Sequence, residues 1–305
     1  MSKSFKESLP HELVTHITAQ CGRAGEEWFE ALPTIITSLE RRWEIAVSEP
    51  FPGIEFNYVA PGVRENGYDV VIKISPPFEQ IEIFGEAGYL KDRDGDGAIR
   101  LLDVDTEHRA ILLERALPGN NLAELFTGNE PDSLKPAIDT LRTILRSPPL
   151  NSSEIVKLDA WFDGMRRYSS TAFPSDYGRK ALEIYDHLSK QPDRTFYLHG
   201  DYHPGNVLNA TRSPFLAIDP IGIIGHVGYE IAVFLNNYHW WQEKRPDVRD
   251  RLAAALSKFA MAFNISPFEL RQWAFAQMVL GAWWNFTDTP SLYNHEVVKA
   301  DIWDV

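Results

Sequence analysis

Residues 198–208 and 216–220 constrain this chain more than any other part of its sequence. They read LHGDYHPGNVL and LAIDP, so Asp201 and Asn206 stand five positions apart and Asp219 ends an apolar run typical of a buried strand. Phosphoryl transfer uses such a set. An Asp accepts the proton of the acceptor hydroxyl, an Asn five residues later holds a metal, and a later Asp chelates Mg²⁺. The spacing therefore predicts a phosphotransferase.

The length and composition indicate a globular chain without a membrane anchor. Its 305 residues, 44% of them hydrophobic, suffice for two packed lobes or one large domain. It has no apolar run long enough to span a bilayer, and its N-terminus lacks the apolar core of an export signal. The single Cys21 excludes an intramolecular disulfide and fits a reducing compartment. We therefore expect a cytoplasmic protein with no membrane partner.

The charge distribution bears on the choice of partner. A net charge of −13 argues against nucleic acid. It also suggests a cationic substrate, but residues 1–150 carry 15 basic and 25 acidic side chains, against 15 and 18 in residues 151–305. Because most of the acidic excess lies outside the half expected to hold the substrate, charge gives little support for a polycationic acceptor.

Hydrophobic periodicity predicts an α+β protein. Residues 10–20, 24–42 and 78–91 have helical spacing, with a kink expected at Pro33. An Arg-Glu-Asn-Gly sequence at residues 64–67 indicates a hairpin turn. Strands are predicted at residues 43–48, 56–60, 68–74, 98–103 and 108–115.

The pattern changes at residues 117–121, and only a strand pair at 207–208 and 215–219 interrupts the helices that follow. A sheet-rich N-terminal part followed by a helical C-terminal part is typical of a two-lobed, protein-kinase-like fold. We predict an N-terminal nucleotide-binding lobe with a helical extension over residues 1–116. A mainly helical C-terminal lobe, with the catalytic loop and the substrate site, would occupy residues 117–305.

Candidate nucleotide-binding residues lie in the predicted N-terminal lobe. Lys73 follows Val-Val-Ile in a strand, as does the kinase lysine that bridges nucleotide phosphates and a helix glutamate. Its partner must come from the next helix, which offers Glu79, Glu82 and Glu86, and Glu86 is the favoured choice.

The run ILLERA at residues 111–116 is expected to reach the adenine edge of the nucleotide. The Glu114 carbonyl and the Ala116 amide would bond the base, while Leu113 lines the pocket. The loop over the phosphates is expected near residues 52–55. Neither a Gly-rich kinase loop nor a Walker A motif occurs, so P-loop chemistry is excluded.

Two other motifs suggest metals of a different kind. Residues 92–103 resemble an EF-hand calcium loop, although position 12 is Asp and a strand follows in place of a helix, so an acidic turn is the favoured interpretation. His199, Asp201 and His203 could belong to a transition-metal hydrolase site. That alternative leaves Asn206 and Lys73 unexplained, and bracing of the catalytic loop is the favoured role of His199.

The chain resembles the aminoglycoside phosphotransferase family, and within it the streptomycin kinase and hydroxyurea kinase branch. HGDxHPGN at 199–206 is similar to the catalytic loop of the family, and IDPxG at 218–222 to its metal-binding turn. The resemblance extends to residues 25–33, 112–115 and 282–284. It implies that Asp201 is the catalytic base and that Asn206 and Asp219 are Mg²⁺ ligands. Ile221, His226 and Glu230 depart from the common pattern of the branch.

The sequence therefore predicts an ATP- and Mg²⁺-dependent kinase acting on a hydroxyl of a small molecule, with an aminoglycoside such as streptomycin as one candidate acceptor. The alternatives are a kinase of an unassigned metabolite and a weakly catalytic nucleotide-binding protein. A metal-dependent hydrolase is a more distant third. Fold alone does not decide among acceptors.

Overall fold

The computed structural model describes residues 5–78, 82–150, 152–168, 175–288 and 297–305. The chain divides into two compact units, Met1–Leu117 and Pro118–Val305. Assigning the nucleotide to the first unit and the acceptor to the second stays a prediction.

The N-terminal unit is an antiparallel sheet with two helices. The sheet has the strand order β1-β2-β3-β5-β4. Its elements are α1 (His11–Trp43), β1 (Ile45–Val47), β2 (Tyr58–Arg64), β3 (Asp69–Ile74), α2 (Glu82–Arg93), β4 (Leu101–Asp105) and β5 (Ala110–Glu114). The predicted phosphate-covering loop lies between β1 and β2. The first residues of the helix predicted at 78–91 lie outside the described residues.

The kink predicted at Pro33 is absent, whereas the break between the helices predicted at 10–20 and 24–42 is present. The backbone departs from helical angles at Gly22, with φ of 51° and ψ of −124°. Gly22 adopts this conformation at little cost because it lacks a Cβ. The helix continues through Pro33 because Phe29, Leu32 and Ile36 form a buried apolar face that packs on the sheet core.

The hairpin predicted at 64–67 is confirmed. The Gly67 amide donates to the Arg64 carbonyl at 2.8 Å, and Gly67 has a φ of +82°. This turn sets the register of β2 against β3, which pairs Val59 with Lys73. Lys73 also pairs with Ile111 on β5, so it lies on a central strand of the sheet.

The C-terminal unit contains strands that periodicity did not indicate. The pair β8 (Val207–Ala210) and β9 (Phe215–Ala217) was predicted, whereas β6 (Pro118–Asn121), β7 (Thr195–Leu198) and β10 (Ile223–His226) were taken as a break or as helix. Four-residue strands are too short to show an alternating pattern. Strand β6 contains Pro and Gly and forms an edge of its sheet, where proline is tolerated.

Helices make up most of the rest of this unit: α3 (Leu122–Leu125), α4 (Leu134–Ile144), α5 (Leu158–Tyr168), α6 (Ser175–Leu188), α7 (Val227–Gln242), α8 (Val248–Phe263) and α9 (Pro267–Asp288). None of the helices in the described ranges combines the length and the apolar composition needed to cross a bilayer.

Helices α7 and α9 approach closely at a glycine. A Cβ on Gly228 would lie 2.3 Å from Cδ1 of Trp273, whose side chain is fully buried. Further along α9, a Cβ on Gly281 would meet no atom within 4 Å. Close packing between the two helices therefore requires a glycine at position 228 but does not require one at position 281.

We expect Gly228→Ala to destabilise the protein by about 1–3 kcal/mol, because the methyl group overpacks the Trp273 site. Gly281→Ala is the matched control: it should stabilise by about 0.5–1 kcal/mol, the cost of glycine inside a helix. Urea unfolding of both variants measures the difference. Equal changes in unfolding free energy would contradict the packing described here.

Candidate active site

A tight loop after β7 carries Asp201. Gly200 has a φ of +88°, and a Cβ there would lie 3.2 Å from the Cβ of Ile221. Its amide donates to the carboxylate of Glu230 at 3.0 Å, and the Glu230 side chain, in the first turn of α7, is fully buried. The backbone preceding Asp201 is thus fixed by a buried carboxylate, while the Asp201 side chain remains 43% exposed.

His199 links this loop to the strand that leads to Asp219. Its Nε2 lies 2.8 Å from the Ile218 carbonyl, and its Nδ1 accepts from the Asp201 amide at 3.3 Å. These partners assign the proton to Nε2. Burial lowers the pKa of His199 to about 4, so the ring is neutral at pH 7. The geometry places His199 as a brace for the loop.

Asn206 holds Asp201 from the other end of the loop. Its Nδ2 donates to the Asp201 carbonyl at 3.0 Å and to Oδ2 of the same residue at 3.2 Å. Since both bonds use the amide nitrogen, Oδ1 is the atom left for a metal. His203 caps the intervening turn by accepting from the Gly205 amide at 3.0 Å, and its Nε2 lies 3.5 Å from Oδ2 of Asp201.

Asp219 is fixed by the strand pairing that Asn206 begins. The Ile218 amide donates to the Asn206 carbonyl at 2.9 Å, and the next residue, Asp219, is an exposed side chain at a φ of +58°. The amides of Ile221 and Gly222 then donate to the His199 carbonyl at 2.8 and 3.1 Å. Asp201, Asn206 and Asp219 are therefore parts of one hydrogen-bonded segment.

The donor set of this segment fits a hard divalent cation. Asn206 Oδ1 and the Asp219 carboxylate are oxygen ligands of the kind Mg²⁺ prefers, and nucleotide phosphates and water commonly complete its shell. The described residues contain no group of three His, Cys, Asp or Glu side chains placed to hold a metal ion. Strand β4 begins at Leu101, so a strand stands where an EF-hand loop at 92–103 would be followed by a helix.

In the N-terminal unit, Lys73 and Glu86 form a buried ion pair. The Lys73 Nζ lies 2.6 Å from Oε2 of Glu86, with side-chain exposures of 8% and 4%. Lys73 lies on β3 and Glu86 in the second turn of α2. Of the other two candidate partners, Glu79 lies outside the described residues and the side chain of Glu82 is not described. The role of the pair in nucleotide binding stays a prediction.

The run at residues 111–116, expected at the adenine edge, covers most of strand β5 and the two residues after it. Leu113, Glu114 and Ala116 are all buried. The Glu114 amide donates to the Arg100 carbonyl at 2.9 Å, and the Glu114 carboxylate accepts from the Arg100 amide at 2.9 Å. The Glu114 side chain thus anchors its strand, and only the backbone groups of Glu114 are left to bond an adenine base.

Sequence reasoning did not assign roles to two residues that support the loop. Glu230 bonds the Gly200 amide, and the Tyr202 hydroxyl donates to the Ala137 carbonyl at 2.7 Å. The position of Tyr202 inside the catalytic-loop motif indicated that it could matter. The sequence did not indicate that its hydroxyl would bond a residue 65 positions earlier. The available signal for Glu230 was a carboxylate in an otherwise apolar run at 227–235.

A family model described as "Aminoglycoside/hydroxyurea antibiotic resistance kinase" matches residues 42–289. The chain is 26% identical over 294 residues to streptomycin 6-kinase of Streptomyces griseus, with 94% of each chain covered. It is 30% identical over 249 residues to the hydroxyurea phosphotransferase of Kitasatospora aureofaciens, covering 75% of this chain and 68% of that protein.

Solved structures support the fold. A choline kinase from Streptococcus pneumoniae aligns with a TM-score of 0.61 at 14% identity, over 88% of this chain and 97% of its own. An aminoglycoside-3′-phosphotransferase of type VIII aligns with a TM-score of 0.55 at 15% identity, over 79% and 96%. These similarities confirm the predicted α+β, protein-kinase-like fold.

The family match covers most of the chain and both of its units, and it confirms the resemblance inferred from the catalytic loop. Kinases take their phosphoryl group from a nucleotide, so this chain is a nucleotide-using phosphotransferase with a small-molecule hydroxyl as acceptor. The chain belongs to the aminoglycoside/hydroxyurea antibiotic resistance kinase family.

Proposed function

We propose that this kinase transfers the γ-phosphoryl group of ATP, with Mg²⁺, to a hydroxyl of a small acceptor, and that Asp201 accepts the proton of that hydroxyl. One observation carries the proposal. The Asp201 carboxylate is exposed, yet one of its oxygens is held by Asn206 at 3.2 Å and its backbone is fixed on both sides. A positioned and accessible carboxylate is what in-line phosphoryl transfer needs.

Asp201 would act mainly by orientation. With Oδ2 bonded to Asn206, Oδ1 is the oxygen that receives the hydrogen bond of the acceptor hydroxyl and then its proton. The neighbouring His203 lies 3.5 Å from Oδ2, where it limits the rotation of the carboxylate. The acceptor oxygen is thereby held in line with the phosphorus atom that it attacks.

The metal would be held by Asn206 Oδ1 and the Asp219 carboxylate. When bound, Mg²⁺ neutralises charge on the phosphoryl oxygens of the nucleotide. The two ligands belong to the same hydrogen-bonded segment as Asp201, because the Ile218 amide bonds the Asn206 carbonyl at 2.9 Å. A displacement of either ligand should therefore also disturb the base.

The N-terminal unit would bind the nucleotide. The Lys73 ammonium, held by Glu86 at 2.6 Å, would neutralise the phosphates. Backbone groups of Glu114 and Ala116, beside Leu113, would bond the adenine. The proposed roles are thus divided between the two units: Met1–Leu117 would bind the phosphoryl donor, and Pro118–Val305 would bind the acceptor and accept its proton.

The identity of the acceptor is an experimental question that a direct screen can answer. Similar proteins are named for streptomycin and for hydroxyurea, and both compounds belong in an ADP-release panel. Sugars, cyclitols and amino alcohols should accompany them, because a metabolite acceptor is the alternative. A chain that binds ATP but releases no ADP with any of these compounds would be a nucleotide-binding protein, and the proposal would fail.

We expect Asp201→Asn to lower kcat by about 10²–10⁴-fold, the usual contribution of a positioned general base. The Kd for ATP should change by less than about threefold, because the substitution removes only a charge. Steady-state kinetics and nucleotide titration measure the two quantities. Asp193→Asn, at an exposed carboxylate on a different turn, is the matched control and should retain full activity.

The Lys73–Glu86 pair allows stability to be separated from nucleotide binding. Lys73→Met alone should destabilise by about 3–5 kcal/mol, since it removes the cation that is paired with the buried Glu86 carboxylate. The double variant Lys73→Met/Glu86→Leu should recover most of that stability but still bind ATP more than about tenfold more weakly. Urea unfolding and nucleotide titration decide. Normal ATP affinity in the stable double variant would contradict the assigned role.

Removal of Mg²⁺ with EDTA should abolish turnover, and replacement of the metal should restore it. Asn206→Ala should raise the Mg²⁺ concentration needed for half-maximal activity by about tenfold or more, since one of two protein ligands is lost. Leu208→Ala, two residues later on β8, is a control for disturbance of the strand. An unchanged metal requirement in Asn206→Ala would exclude Asn206 as a ligand.

A further inference from the structure

The N-terminal segment, residues 5–21, folds back on the rest of α1 at the break in that helix. A Cβ on Gly25 would lie 2.9 Å from Cγ2 of Ile17, whereas residues eight apart in a continuous helix are about 12 Å apart along its axis. The Lys6 ammonium lies 2.6 Å from the Glu26 carboxylate. The segment is therefore held firmly against the rest of the N-terminal unit.

The apolar face of the segment fixes it further. Leu13 and Ile17, about one helical turn apart, are fully buried in the core that includes the sheet, and Leu9 is nearly so. His16 precedes Ile17 and keeps 40% of its side chain exposed. A rigid base thus presents the ring of His16 at the edge of the core.

The ring of His16 stacks on Phe56, which belongs to the loop between β1 and β2, residues 48–57. The ring centroids are 5.1 Å apart and the planes differ by 9°. His16 Nδ1 lies 3.9 Å from Oε2 of Glu55, too far for a hydrogen bond, and it has no other hydrogen-bond partner in the described residues. Stacking, and not a polar bond, therefore joins His16 to the loop.

At its base, the same loop is bonded to the strand that pairs with Lys73. The Phe51 amide donates to the Val59 carbonyl at 2.9 Å, and Val59 on β2 pairs with Lys73 on β3. The loop thus leaves the sheet at the edge where the predicted phosphate-binding lysine lies. A covering loop beside a strand lysine is the arrangement that kinases use for nucleotide phosphates.

The tip of the loop lies between these two attachments. Pro52 and Gly53 are exposed, and a Cβ on Gly53, which has a φ of +71°, would meet no atom within 4 Å. A cavity of about 480 Å³ lies between this tip and the residues Leu9 and Pro10 of the segment. The tip is therefore positioned from its flanks, and the stack at Phe56 holds one of them.

We propose that the N-terminal segment positions the β1–β2 loop for the phosphates of the nucleotide, and that His16 is the positioning residue. The inference rests on the proposed function, which assigns the nucleotide to the N-terminal unit. The stack restricts the loop before the nucleotide arrives, so less conformational freedom is lost on binding. His16 acts through Phe56 and touches no reacting atom.

Ligands with and without phosphates separate this role from a merely structural one. His16→Ala should raise the Kd for ATP by about three- to tenfold, the factor that an aromatic pair contributes. The Kd for adenosine should not change, because adenosine has no phosphate for the loop to cover. Isothermal titration calorimetry measures both constants. His16→Phe keeps a ring and should restore ATP binding, and Gln20→Ala, at an exposed position of the same segment, is the matched control.

Phe56→Leu tests the same contact from the side of the loop. It should raise the Kd for ATP by a similar factor, and the double variant His16→Ala/Phe56→Leu should bind ATP no more weakly than the weaker single variant, since the two rings act through one contact. If His16→Ala does not fold, Phe56→Leu decides, because 49% of Phe56 is exposed and its replacement leaves the core intact.

Three results would overturn the inference: wild-type ATP affinity in His16→Ala, tighter ATP binding by that variant, or equal losses of ATP and adenosine affinity. Failure of the proposed function is distinct, because it would appear as a wild-type protein that does not bind ATP, and it would remove the inference with it.

Discussion

The hydrogen bonds from the Asn206 carboxamide to Asp201 are the interaction on which the catalytic segment depends. They orient the carboxylate that we propose as the base and, by using the amide nitrogen, leave the oxygen of Asn206 as the atom for the proposed metal. In the proposed mechanism one side chain thus couples proton acceptance and charge neutralisation. The five-residue spacing in the sequence brings the two side chains within hydrogen-bond distance.

The segment is supported by the first turn of α7. His226 caps that helix by accepting from the Gly228 amide at 2.9 Å, and its ring stacks on Trp273 at 4.9 Å. Burial lowers the pKa of His226 to about 4, so it is a neutral cap at pH 7. Glu230 then reaches back to Gly200. The close approach of Gly228 to Trp273 fixes the position of α7. Through Glu230, α7 in turn fixes the loop that carries Asp201.

Local patterns predicted the parts of this structure that neighbouring residues determine. The 64–67 turn, the catalytic loop and the β8–β9 pair were readable because their spacing is short. The break at Gly22 also falls in the gap between the two helices predicted there, but the continuation of the helix through Pro33 was not readable, because it depends on a buried face that packs on the sheet. The short strands β7 and β10 depend on pairing with each other across the intervening residues 199–222, which periodicity cannot detect.

In the candidate site, too, contacts between elements that are adjacent in the chain were predictable and contacts between distant residues were not. Lys73 and Glu86 could be proposed as partners because a strand and the following helix are adjacent in the chain. The bond from Gly200 to Glu230 joins residues 30 apart, and the contact between Asn236 and Gln277 joins residues 41 apart. Those contacts arise from helix packing, so local sequence patterns could not predict them.

A double-variant cycle on Asp201 and Asn206 tests the central claim most directly. Single-turnover rates of phosphoryl transfer would be measured for Asp201→Asn, Asn206→Ala and the combined variant at saturating ATP and Mg²⁺. If the two side chains act as one unit, the combined variant should be no more than about threefold slower than the slower single variant. Losses that multiply fully would contradict the account, because they would show two independent contributions.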